Sequence, residues 1–100
     1  MNIRFTEAAI DDLDKIWLYG LDAFGLDKAD QFTDGLRDRI AMLSDFPELG
    51  QVIAEAPYTI RRLVYEETVV VLYRVGADLV SIERIADGRR DIADLARSLP

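Results

Sequence analysis

The chain has 100 residues, half of them hydrophobic, with 12 basic and 19 acidic side chains and no Cys or His. A chain of this length buries roughly two-thirds of its unfolded surface, so residues 1–100 read as one domain that needs no disulfide, metal or cofactor for stability. Without Cys and His there is no thiolate nucleophile, no usual zinc ligand and no imidazole for proton transfer near neutral pH, and the net charge of −7 opposes direct nucleic-acid binding through phosphate contacts.

The first residues, MNIRFTEAAIDDLDKIW, place Asp and Glu where a secretory leader holds its apolar core. No apolar run approaches a membrane span, so a cytoplasmic protein without membrane contact is expected. Charge is unevenly spread. Residues 1–50 hold eleven acids and five bases, a balance of −6, and residues 51–100 hold eight acids and seven arginines, a balance of −1. That asymmetry predicts two faces with different partners.

Over Asn2–Phe5, Ile3 and Phe5 alternate with polar neighbours, which predicts a short strand. Thr6 is placed to N-cap a helix with Glu7 in its first turn. Ile10, Leu13, Ile16, Trp17, Gly20 and Phe24 then recur at spacings of three and four, opposite Asp11, Asp12, Asp14, Lys15 and Asp22. Gly25 ends this helix with a left-handed cap. Asp27 is the expected cap of a second helix, with Ala29, Phe32, Leu36, Ile40, Leu43 and Phe46 on its apolar face and Pro47 as its stop. So short a connection predicts an antiparallel helical hairpin.

Pro47 to Gly50 reads as a turn and the segment to Thr59 as a loop. Ile60–Tyr65 reads as a strand and Glu66-Glu67 as a tight turn. The stretch Val69 to Asp91, VVVLYRVGADLVSIERIADGRRD, holds two apolar runs around Gly76-Ala77-Asp78, the pattern of an antiparallel hairpin inside a sheet. Ile92, Leu95 and Leu99 form one face of a short terminal helix. The order predicts an α+β domain: an N-terminal strand, an antiparallel helical hairpin, a three-stranded antiparallel meander and a short C-terminal helix. The hairpin should pack across one sheet face, leaving the other partly open.

Arg74, Arg84, Arg89 and Arg90 interrupt this apolar centre, and a strand arginine needs a carboxylate, a phosphate or solvent. Surface bridges to Glu66, Glu67, Glu83 and Asp87, each worth about 0–1 kcal/mol, are the plain account of the strand arginines Arg61, Arg62, Arg74 and Arg84. Strict alternation puts Arg84 on the face of Val80 and Ile82, so either a bulge intervenes or Arg84 lies at the edge of the open face.

Taken in order, Ala9, Asp12, Leu13 and Ile16 (A-x-x-D-L-x-x-I), Phe24-Gly25, Leu43, Pro47 and Gly50 (L-x-x-x-P-x-x-G), Arg61 and Arg62, Tyr73-Arg74-Val75, Ile82, Arg84 and Ile85 (I-x-R-I) and Gly88 to Ile92 (G-R-R-D-I) resemble the ParE branch of the ParE/RelE toxin superfamily. The resemblance spans nearly the whole chain. It implies a toxin of a bacterial type II toxin–antitoxin module, neutralised by a cognate antitoxin whose C-terminal segment wraps it. The ParE branch implies DNA gyrase as target, and the RelE branch implies cleavage of messenger RNA in the ribosomal A site. Asp87 stands where many relatives carry His, and Ala86 to Arg90 offers neither Tyr nor His to assist cleavage.

Attack by a 2′-hydroxyl needs a proton acceptor, a proton donor and cations for the phosphorane. Arg61, Arg62, Arg74 and Arg84 are available cations, and Tyr65, Tyr73, Glu67 and Glu83 are the remaining proton-transfer candidates. The balance favours an inhibitor of a topoisomerase over an enzyme, with no catalytic or metal residue assigned. The alternatives are a RelE-type ribosome-dependent nuclease and a degenerate toxin that keeps only antitoxin binding. Target contacts are expected at Arg61, Arg84, Arg89 and Arg90, and antitoxin contacts at Trp17, Phe24, Arg61, Arg62, Tyr73 and Arg74. The acidic outer side of the hairpin, with Asp11, Asp14, Asp22, Asp30, Asp34 and Asp38, predicts apolar antitoxin anchors flanked by Lys or Arg along it, with Asp or Glu near Arg61, Arg62 and Arg84.

Overall fold

A computed structural model describes residues 1–100. Strand β1 (Asn2–Phe5) leads into α1 (Glu7–Phe24) and α2 (Leu26–Ala41), followed by a 3-10 turn at Met42–Ser44. Strands β2 (Gln51–Ala54), β3 (Ile60–Tyr65), β4 (Val69–Val75) and β5 (Leu79–Asp87) come next, then α3 (Ile92–Arg97). The five strands form one mixed sheet in the order β1-β5-β4-β3-β2. β1 runs parallel to β5 and the other pairs are antiparallel. No helix is long and apolar enough to cross a membrane.

Local chemistry sets most boundaries as expected. Thr6 Oγ1 accepts from the Ala9 amide at 3.1 Å and starts α1, and Asp91 caps α3 by accepting from Asp94 N at 3.0 Å. Gly25, at φ 91°, ends α1 and also begins α2, so α2 starts at Leu26 and Asp27 lies in its first turn instead of capping it. A single residue that breaks both helices leaves no room for a separate cap. The expected loop before Thr59 contains a strand instead: β2 pairs with β3 through a register shift between Val52 and Ala54, an irregular edge that periodicity alone does not mark. The turn joining β3 to β4 holds Glu66 and Glu67 at φ 52° and 59°, a left-handed backbone that glutamate adopts at a cost.

Alternation along β4 serves two cores. Val69, Val71 and Tyr73 join Ala9, Leu13, Leu36 and Ile40 beneath the helical hairpin. Val70 and Leu72 face the other way, against Ile60, Ala86, Leu95 and Ala96. On the second sheet face α3, with Ile53, Ala54 and Tyr58, covers this apolar strip, while Val64, opposite Val70, stays exposed, so that face is partly open as expected. The terminal helix is short, but Leu95 and Ala96 have an apolar strip to bury against. Several residues assigned to the apolar helix faces instead lie outside the core: Ile10, Phe24 and Phe46 are all exposed.

Tyr73 is a buried post between the sheet and the segment before β2. Its hydroxyl accepts from Gly50 N at 2.7 Å and donates to Pro47 O at 2.8 Å. Burial raises the phenol's pKa above its ordinary value, outweighing the Gly50 hydrogen bond and Arg61, which act in the opposite direction. Gly50 has no room for a side chain, because a Cβ there would sit 2.6 Å from the Arg62 carbonyl oxygen and from the Tyr73 ring. Tyr73→Phe is expected to cost about 1–3 kcal/mol by stranding a buried amide, and Gly50→Ala about as much through overpacking. Urea titration checks both: the midpoint should fall with the slope unchanged.

Candidate functional site

β1 stops at Phe5 whereas β5 continues to Asp87, so the outer edge of β5 has no neighbouring strand beyond Ile82. Helix α1 takes over. Thr6 N donates to Ile82 O at 3.0 Å, Thr6 Oγ1 donates to Glu83 O at 2.8 Å, and Asp12 Oδ2 accepts from Ile85 N at 2.9 Å. Arg84 closes the same carboxylate, with Nε at 2.7 Å from Oδ2 and Nη2 at 3.0 Å from Oδ1. A bulge makes this possible. Leu72 pairs with Arg84 and Tyr73 with Ile82, so Glu83 is the extra residue and everything after it is re-aimed. The hydrogen bonds that Arg84 donates to Asp12 hold the guanidinium pKa above its ordinary value.

Asp12 was expected on the solvent side of α1 and is instead buried at 9% exposure. The helical spacing contained the signal: Asp12 lies three residues after Ala9, four before Ile16 and beside Leu13, within the apolar stripe. An acid on that stripe needs a buried cation or amides, and Arg84 with the Ile85 amide supplies both.

Above this junction, a groove of about 1060 Å³ separates the helical hairpin from the end of β5 and the β3–β4 turn. Ile16, Phe32, Val69 and Ile85 contribute apolar lining, and Gly20 and Ala29 mark the close approach of α1 to α2. Lys15, Lys28, Arg89 and Arg90 also line it, together with Asp12, Glu67 and Asp87. Phe24 and Tyr19 line it as well, at 63% and 71% exposure. Arg89 is bound to Asp87, with Nη2 at 2.7 Å from Oδ2 and the Arg89 amide at 2.9 Å from Oδ1. Hydrogen bonds from the Arg89 side chain first, then from its amide, bring the Asp87 carboxyl down to about 2.

The expected contact residues do not converge on one surface. Phe24, Arg89 and Arg90 line the groove, and Arg84 reaches it only through Asp12. Trp17 ties α1 to α2, its indole N–H donating to Asp30 Oδ1 at 2.8 Å. Arg61 is pinned by the Gly50 carbonyl at 2.8 Å. Arg62 is half-buried and makes no ion pair. Arg74 pairs with the buried Glu83 and lies over the Tyr58 ring at 4.1 Å. Tyr73 has 0% exposure and presents no surface to a partner. Lys15, Lys28, Tyr19 and Glu67 were missed as groove residues, although the chain has only these two lysines. No group of three or more acids is placed to hold a metal ion.

The chain is thus a helical hairpin laid on one face of a mixed five-stranded sheet, with a cation-rimmed groove at the end of β5. The model of a family described as "ParE toxin of type II toxin-antitoxin system, parDE" matches residues 3–92, and the chain belongs to that family. Among solved structures, one titled as the chromosomal ParDE TA system from P. aeruginosa has a TM-score of 0.75 at 24% identity, covering 87% of this chain and 95% of that one. The RelBE2 toxin–antitoxin complex from Mycobacterium tuberculosis gives 0.56 at 25% identity, covering 86% and 95%. Comparison with curated proteins finds no match.

Two measurements probe this site. Asp12→Ala leaves Arg84 and the Ile85 amide unpaired at a largely buried position and should destabilise the fold by about 3 kcal/mol, whereas Asp12→Asn, which keeps an acceptor, should cost less; thermal or urea melts rank the two. In an NMR pH titration, Arg89→Ala should move the Asp87 midpoint from about 2 toward its ordinary 3.8. Because the folded value is the lower one, any stabilisation from this carboxylate is present above about 3.8 and is lost as pH falls toward 2.

Proposed function

We propose that this chain is the toxin of a type II pair that acts in the cytoplasm by binding DNA gyrase, and that a cognate antitoxin neutralises it. The observation that carries the reading is the groove: apolar lining and free cations on rigid walls fit adhesion to a protein. The candidates for proton transfer point the same way. Burial raises the pKa of Tyr65 and of Tyr73, so neither phenol is poised as a base near neutral pH. Glu83 is buried against Arg74, and Arg84 is committed to Asp12. Family membership supports an antitoxin partner, as do the similar structures, whose titles name a ParDE system and a RelBE2 complex.

Arg89 and Arg90 are the exposed cations nearest the end of β5, and we assign them to target contact. Purified chain should inhibit gyrase supercoiling and leave ribosome-bound messenger uncut. Position-specific cuts in a toeprint assay would overturn the gyrase reading in favour of a RelE-type nuclease. Arg89→Ala with Arg90→Ala should leave the melting temperature nearly unchanged and weaken growth arrest on induction. Undiminished arrest would show that the pair is only solvated surface.

A further inference from the structure

Residues 91–100 are joined to the rest of the fold almost entirely by apolar side chains. Their polar groups bond to one another: Asp91 accepts from Asp94 N at 3.0 Å, Leu95 N donates to Asp91 O at 3.0 Å, Ser98 Oγ donates to Leu95 O at 2.7 Å, and Arg97 pairs with Asp94. One hydrogen bond leaves the segment, from the Tyr58 hydroxyl to the Pro100 carbonyl. What else holds α3 is the packing of Leu95 and Ala96, with Ile92 and Leu99 partly buried, against Ile60, Val70, Leu72 and Ala86 on the second sheet face. A helix of six residues does not persist in water without such packing. The turn just before it is held differently. Gly88 N donates to Thr68 O at 2.8 Å, Arg89 N to Asp87 Oδ1 at 2.9 Å and Arg90 N to Asp87 O at 3.0 Å, so Arg89 and Arg90 are fastened to the sheet without α3. Secure bonding ends at Arg90.

We propose that α3 is a lid that opens as one piece about Asp91, leaving the sheet, the helical hairpin and the Arg89–Arg90 turn in place. Closed, Leu95 and Ala96 cover the strip of Ile60, Val70, Leu72 and Ala86. Open, that strip faces water beside Arg62, which is half-buried, has no ion pair and stands opposite Leu72 in the β3–β4 register. Tyr58 is the latch. Its hydroxyl holds Pro100, while the Arg74 guanidinium, itself paired with the buried Glu83, lies over its ring at 4.1 Å and steadies it. A segment with few buried contacts and almost no long-range hydrogen bonds opens at a fraction of the free energy of global unfolding, because the remaining core stays packed. The core beneath the helical hairpin contains no residue from 91–100, so opening leaves it unchanged. The lid thus switches an apolar face of the sheet between a hidden and an exposed state. Nothing in this opening depends on the identity of the target.

Native-state hydrogen exchange of the full chain, read amide by amide by NMR, tests the lid. In the wild type, the amides of Leu95, Ser98 and Leu99 should exchange at least about a hundredfold faster than those of Val71 and Tyr73, which open only with the whole fold. Tyr58→Phe, which removes the latch, should speed the α3 amides by a further factor of about three to ten. Leu95→Ser should abolish their protection while Val71 and Tyr73 stay protected to within about tenfold of the wild type. The same variant should bind the apolar dye ANS, which the wild type does not. Equal exchange of the α3 and β4 amides in the wild type, an unchanged α3 rate in Tyr58→Phe, or no dye binding by Leu95→Ser would each overturn the proposal. So would loss of β4 protection in Leu95→Ser, which would show that α3 leaves only when the whole chain unfolds. Exchange and dye binding are read without any toxicity or supercoiling assay, so failure here and failure of the gyrase reading are separate results.

Discussion

Beyond Ile82, β5 has lost its parallel neighbour, and a buried strand edge with open amides is costly. The Asp12 carboxylate closes that edge. It accepts from the Ile85 amide and holds Arg84 by two further hydrogen bonds, fastening α1 to the sheet where β1 no longer reaches. The helical hairpin, the first core and one wall of the groove all depend on where α1 sits. The Glu83 bulge belongs to the same device, because without the extra residue neither Arg84 nor the Ile85 amide would meet the carboxylate.

Charge is sorted by surface rather than by half of the chain. Asp11, Asp14, Asp22, Asp30, Asp34 and Asp38 are exposed on the hairpin, while Lys15 and Lys28, from the same two helices, turn into the groove. A helix offers neighbouring stripes to different surroundings within one turn, so a balance counted over fifty residues averages opposing faces. Among the cations that line the groove, pairing with Asp87 removes Arg89 and leaves Lys15, Lys28 and Arg90.

Strand β4 is buried on both faces over Val69 to Tyr73, and this explains why Val69 to Leu72 reads as a continuous apolar run. It also explains why polar groups inside the fold are tied to structure. Tyr73 anchors the segment before β2, and Glu83 is buried against Arg74, whose guanidinium lies over the Tyr58 ring. These residues look reactive in a linear sequence, yet each is occupied in supporting the scaffold.

Periodicity and local capping were enough to determine both long helices, strands β1, β3, β4 and β5, the short α3 and the α+β class, since each depends on residues within one or two turns or on alternation along a strand. The family was legible from spacings spread over the chain. β2 was not, because a four-residue edge strand with a register shift carries no repeating pattern. Nor were the partners of the arginines: Asp12 and Arg84 are 72 residues apart and meet only after the bulge and the hairpin are in place. The groove is likewise a product of tertiary structure, since Lys15, Lys28 and Arg90 come from three elements that only packing brings to one rim. Sequence determines which side chains exist and which face of an element they occupy; which charges remain free is decided by long-range pairing that local pattern does not encode.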